Sequence, residues 1–80
     1  MPSYEVEPPT IDRLRPLWTA VLYRDVIAAE DDFFDLGGDS LAAVELINRV
    51  NAELGVSLDT VALFDHPTLG GLAALVERAG

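Results

Sequence analysis

Residues 33–41 run Phe33-Phe34-Asp35-Leu36-Gly37-Gly38-Asp39-Ser40-Leu41. An acidic, aromatic loop narrows through two glycines to a serine, and an apolar helical period begins directly behind it. Ala43, Leu46, Ile47, Val50 and Leu54 recur at helical spacing, which predicts a helix from Ser40 to Leu54 with one core-facing stripe. Asp39 is its expected N-cap and Gly55 its C-terminal stop. Ser40 is thereby placed at a helix N-terminus, where unpaired N–H groups and a partial positive charge favour a phosphate. Gly37 and Gly38 permit positive φ and let the backbone of a partner approach closely. Nothing nearby in sequence is equipped to activate the hydroxyl. Ser40 therefore reads as a residue that another protein modifies and that then carries something.

Working outward, Ile11, Leu14, Leu17, Trp18, Val21 and Leu22 fall on one helical face, with Thr10 as a plausible N-cap. Pro16 conflicts with an early start, because it lacks an N–H and disturbs the turn back to Asp12. Either the helix proper begins near Pro16, or its first turns are kinked. From Tyr23 to Asp39 the chain is mostly a long loop, for which Phe33, Phe34 and Leu36 supply core pins. A short helical segment near Thr60–Phe64 follows, with Asp59 as a cap candidate. A last helix opens at or just before Thr68, its Leu69, Leu72, Ala73, Leu75 and Val76 at helical spacing. Four apolar-faced segments without strand alternation predict an all-α, small four-helix bundle: three longer helices, one short one, and a long loop between the first and second. Residues 1–9 read as a flexible leader or linker remnant and residues 10–80 as the folded domain. Met1 suits a free-standing protein, although an excised domain given a start codon would look the same.

The 33–41 string closely resembles the attachment motif of phosphopantetheine carrier proteins, a leucine-bearing acidic loop ending in Gly-Gly-(Asp/His)-Ser-(Leu/Ile). The resemblance extends from about Ile11 to Ala79 and includes Leu63-Phe64-Asp65-His66-Pro67-Thr68-Leu69, similar to the Phe…His-Pro-Thr stretch of peptidyl carrier domains. It implies a four-helix carrier domain that is not itself an enzyme. Ser40 would receive a 4'-phosphopantetheine arm from coenzyme A as a phosphodiester, with Gly38 and Asp39 beside it, and the arm's thiol would bear an aminoacyl or acyl thioester. The partners implied are a phosphopantetheinyl transferase, an adenylation or acyl-loading enzyme, and condensation, ketosynthase, tailoring or thioesterase partners of natural-product biosynthesis. A peptidyl carrier is the first reading within the family. Asp39 in place of histidine also fits an acyl carrier of a polyketide synthase, which is the alternative. A helical interaction domain whose serine is never modified is the alternative from another class.

Leu41 and Val44 lie three apart on an edge distinct from the core stripe and next to Ser40, and read as an exposed apolar edge for partners. Asp35, Asp39 and Glu45 are the carboxylates expected to meet basic residues on those partners. Fourteen acidic residues against five arginines and no lysine leave a formal charge of −9, a surface that repels nucleic acid and anionic membrane. Eighty residues, half of them apolar, suffice for one modest core and one domain, with a monomer expected. The absence of cysteine excludes a disulfide frame and fits a cytoplasmic protein.

Gly38-Asp39-Ser40-Leu41 also spells the nucleophile string of the GDSL esterases. That enzyme needs a parallel α/β scaffold and an Asp-x-x-His pair, whereas His66 directly follows Asp65 and no strand pattern precedes Ser40. His66, alone before a proline, reads as a capping or packing residue. Glu30, Asp31, Asp32 and Asp35 fail as a calcium loop. With Gly37 sixth, Phe34 and Leu36 would stand where oxygen ligands are required, so no metal is expected and the cluster reads as a solvated acidic loop. Trp18 and the phenylalanines read as core.

Overall fold

The computed structural model describes residues 9–79, so the leader expected over residues 1–9 lies outside the described residues apart from Pro9. Four helices follow in order: α1 (Thr10–Leu22), α2 (Ser40–Leu54), α3 (Thr60–Asp65) and α4 (Leu69–Ala79). α1 packs on both α2 and α4, and α3 packs on α2. Leu14, Trp18 and Val21 of α1 meet Ala43, Leu46, Ile47 and Val50 of α2 and Leu69, Leu72, Ala73 and Val76 of α4 in one buried cluster. The short helix contributes Leu63 to it. The expected stripe on α2 is buried as its spacing requires, with Leu54 half-buried at its end.

α1 corrects one detail and decides an open one. Thr10 is the first helical residue and not the cap. Pro9 takes the cap position and offers its carbonyl to the N–H groups of Asp12 (2.9 Å) and Arg13 (3.2 Å). The helix also runs through Pro16 without starting there. Pro16 lies on the exposed face, while Leu14 and Trp18 on the opposite side are fully buried, so packing outweighs one missing hydrogen bond. Tyr23 ends α1 in the left-handed region at φ 55°, its N–H returning to the Thr19 carbonyl.

The long loop is pinned at many points, which explains how seventeen residues between helices stay ordered. Ile27 and Phe33 are buried in the core, and Phe34 and Leu36 pack against it. The Arg15 Nε donates to the Ile27 carbonyl at 3.0 Å. At the far end, Phe33 N–H donates to the Pro67 carbonyl (2.8 Å), and an isolated antiparallel bridge joins Asp32 to Thr68. The first turn of α4 finds its acceptors in this loop. Leu69 N–H reaches Asp31 O (3.2 Å) and Gly70 N–H reaches Ala29 O (2.8 Å). A Cβ on Gly70 would stand 3.3 Å from that Ala29 oxygen, so glycine allows the close approach. Thr68 caps the helix, its Oγ1 accepting from Gly71 N–H at 3.0 Å.

The acidic loop is only partly solvated. Asp31 Oδ2 accepts from Ala28 N–H at 2.8 Å, and Asp32 Oδ1 accepts from Phe34 N–H (2.8 Å) and Asp35 N–H (3.2 Å). These two carboxylates fold the turn that aims Phe33 inward, as short polar side chains do in Asx-turns. Glu30 and Asp35 remain exposed.

Candidate functional site

Ser40 opens α2 and is exposed. Asp39 caps the helix from an extended backbone at φ −123°, its Oδ1 accepting from Ala42 N–H at 2.9 Å and its carbonyl from Ala43 N–H at 2.8 Å. Among the described residues no acceptor takes the Ser40 and Leu41 N–H groups. They lie beside the hydroxyl, where the helix dipole favours an anion. A fifteen-residue helix ending in a left-handed Gly55 supports that dipole along its whole length.

The two glycines do different work. Gly37 has φ +102° and open space around the position of a Cβ, so it supplies the turn and a bare surface before Ser40. At Gly38 the expectation of positive φ is not met. A Cβ there would land in the ring of Phe33 and 2.8 Å from the Phe33 carbonyl oxygen. The same carbonyl accepts Gly38 N–H at 3.0 Å. Gly38 thus lies flat on Phe33, whose ring is wedged edge-on between Trp18 (5.3 Å) and Phe34 (5.4 Å). The core reaches to within two residues of Ser40 through that contact.

Beyond Ser40, Leu41 is 81% exposed and Val44 is 45% exposed, so the pair forms an apolar edge on α2. Glu45 adjoins it, but its Oε2 is held by the Arg49 guanidinium at 3.1 Å. Asp39 has one carboxylate oxygen committed to the cap, and Asp35 is exposed in the loop. On α3, Val61 and Phe64 are also more than half exposed, which corrects the reading of every phenylalanine as core. Phe64 stacks on the half-buried Phe34 at 4.8 Å with the rings 10° from parallel. Its exposure was illegible in sequence because a six-residue helix has too few turns to define a buried face. His66 caps the C-terminus of α3, its N–H donating to the Ala62 carbonyl at 2.9 Å.

A phosphodiester fits this setting, with an exposed hydroxyl, two adjacent free N–H groups, a bare glycine turn and a carboxylate neighbour bound to its own helix. The profile of the family described as "Phosphopantetheine attachment site" matches residues 12–76. The chain belongs to this family. It is a carrier domain of the nonribosomal peptide synthetase type, and its prosthetic group is 4'-phosphopantetheine, attached covalently from coenzyme A. The indigoidine synthase of Dickeya dadantii is 44% identical over 71 residues, 89% of this chain and 5% of that protein. A dimodular nonribosomal peptide synthase of Bacillus subtilis is 44% identical over 69 residues, 86% of this chain and 3% of that protein. The chain therefore spans no more than a twentieth of the length of these two relatives. A peptidyl carrier protein solved in complex with the phosphopantetheine transferase Sfp and coenzyme A superposes with a TM-score of 0.84 at 32% identity, covering 91% of this chain and 95% of that one. Among the described residues no helix is long and apolar enough to cross a membrane.

Proposed function

We propose that Ser40 is the attachment residue and that the domain, over residues 10–80, carries an aminoacyl thioester between enzymes of peptide assembly. The observation that carries this reading is the exposed Ser40 hydroxyl at the free N-terminus of α2, directly ahead of the exposed Leu41–Val44 edge. In the attachment step the Ser40 oxygen attacks a phosphorus of the coenzyme A pyrophosphate. A P–O bond to Ser40 forms, the bond to the adenosine bisphosphate breaks, and the serine proton passes to a base of the transferase. Ser40 has no base of its own at hand. The only histidine, His66, directly follows Asp65, so the Asp-x-x-His pair that would activate a serine is missing, and Asp39 has one carboxylate oxygen committed to the helix cap. Esterase chemistry at Ser40 is therefore set aside, and the domain works as cargo bearer in the cytoplasm, where coenzyme A and the synthetases meet.

Adenylation and condensation partners are proposed to seat on Leu41 and Val44, with Asp35 and the free oxygen of Asp39 meeting basic residues and Glu45 doing so once released from Arg49. An acyl carrier role is the alternative, favoured by Asp39. Ser40→Ala tests the assignment: with coenzyme A and a broad-specificity transferase the parent gains the arm and the variant does not. Offering the loaded protein an adenylation enzyme with ATP and amino acids, or an acyl transferase with acyl-coenzyme A donors, then decides the cargo. Failure of the parent to gain any arm would leave only the unmodified helical interaction domain.

A further inference from the structure

Two features at the other end of the long loop are left unused by this reading. Tyr23 is a bulky residue held at φ 55°, with a side chain 94% exposed and therefore with no packing gain to offset the strain. What the conformation does accomplish is local. It ends α1, turns the N–H of Arg24 back to the Thr19 carbonyl at 3.2 Å, and sends the Arg24 side chain across the loop. There its Nη2 donates to the Leu36 carbonyl at 3.1 Å. Leu36 immediately precedes the Gly37 turn, which has no side chain to hold it and nothing within 4 Å of its Cβ position.

We propose that Arg24 is a positioning residue for the Ser40 hydroxyl, acting through the Leu36 carbonyl; this rests on Ser40 being the attachment residue. The approach to Ser40 is gripped from below by Phe33 under Gly38. On the Gly37 side, glycine at positive φ leaves the backbone wide freedom, the Gly37 N–H is held by the Phe34 carbonyl at 3.1 Å, and the Leu36 carbonyl that leads into Gly37 is held by Arg24. The Leu36 N–H already donates to Asp32 O at 3.0 Å, so Arg24 fixes the other half of the same residue's backbone. With both held, the Gly37–Asp39 segment presents Ser40 in one place. A transferase then meets the hydroxyl already oriented, and orientation of a reacting group acts on the chemical step.

The test compares Arg24→Ala and Arg24→Lys with the parent in transfer of the arm from coenzyme A, alongside backbone ¹⁵N relaxation of the unloaded proteins. Arg24→Ala should lower kcat by roughly three- to tenfold with KM for the carrier little changed, the factor that corresponds to losing one hydrogen bond of ordinary net strength, since solvent screens this exposed one. Its order parameters should fall at residues 37–40 and not in the helices, and Arg24→Lys, which still offers a donor, should restore part of both. Unchanged relaxation at residues 37–40 would overturn the proposal, as would a raised KM with kcat intact, the mark of a guanidinium that touches the partner directly. Both variants are expected to be loaded to completion on Ser40, and arm transfer to another residue would overturn the assignment of Ser40 instead. The relaxation comparison needs no transferase and stands apart from that assignment.

Discussion

Replacing Gly38 by alanine probes the contact that joins the site to the core. The added methyl would enter the space of the Phe33 ring and crowd the Phe33 carbonyl at 2.8 Å. Phe33 cannot retreat. Its ring is fully buried between Trp18 and Phe34, and its N–H is tied to the Pro67 carbonyl at 2.8 Å. Overpacking of this kind costs about 1–3 kcal/mol. For a domain of this size, 1 kcal/mol moves the thermal midpoint by roughly 4–8 °C, so even the lower bound is readily measured. Urea unfolding of the unloaded domain is the assay. A double-mutant cycle with Phe33→Leu isolates the cause, because the smaller side chain vacates the space that the methyl needs. The pair should then cost less than the sum of the singles by about 1 kcal/mol, within the usual range for residues in contact. Gly37→Ala should show no such coupling, since its cost of about 1–2 kcal/mol arises from positive φ alone. If Gly38→Ala matched the parent in stability, or if its cost were unaffected by Phe33→Leu, the argument that Gly38 is glycine for the sake of Phe33 would fail.

Three further outcomes are expected. Val50→Asp buries an unpaired carboxylate at a fully buried position and should cost about 3–5 kcal/mol, much of the stability of a domain this small, whereas Val44→Asp should stay within about 0.5 kcal/mol; equal losses by circular dichroism melts would place Val44 in the core. Tyr23→Gly removes left-handed strain without removing a packed side chain, so the midpoint should rise, by about 1 kcal/mol equivalent; a fall would mean that the tyrosine makes a contact in solution. Raising salt should slow arm transfer chiefly through association, because screening shortens the reach of the −9 surface to about 8 Å near physiological ionic strength, while Val44→Asp should impair transfer at every salt concentration; stopped-flow rates indifferent to both would point to a different docking surface.

The helices were legible where local chemistry marks their ends. Asp39 and Gly55 bracket α2 as read from sequence, and Asp59 caps α3 through Val61 N–H at 2.8 Å. The core pins of the loop were legible too, since buried aromatics in a polar segment have few other uses. Long-range devices were not. Arg15 on Ile27, Arg24 on Leu36, and the Ala29 carbonyl against Gly70 join residues far apart in the chain, and no periodicity or composition announces them. The start of α1 stays open in the sequence between Thr10 and Pro16, because Pro16 weighs heavily in a local rule and lightly beside the burial of Leu14 and Trp18. Gly38 was read for its freedom and turned out to matter for its small size, a distinction visible only once Phe33 is in place.

Localising the arm on the chain tests the central claim most directly. The protein is incubated with coenzyme A and a broad-specificity phosphopantetheinyl transferase, then fragmented in the mass spectrometer to find the residue that carries the added mass. One phosphopantetheine on Ser40, with Ser3, Ser57 and every threonine unmodified, is the predicted result. An arm on any other residue, or no arm on a folded protein under conditions that load a known carrier, would contradict it.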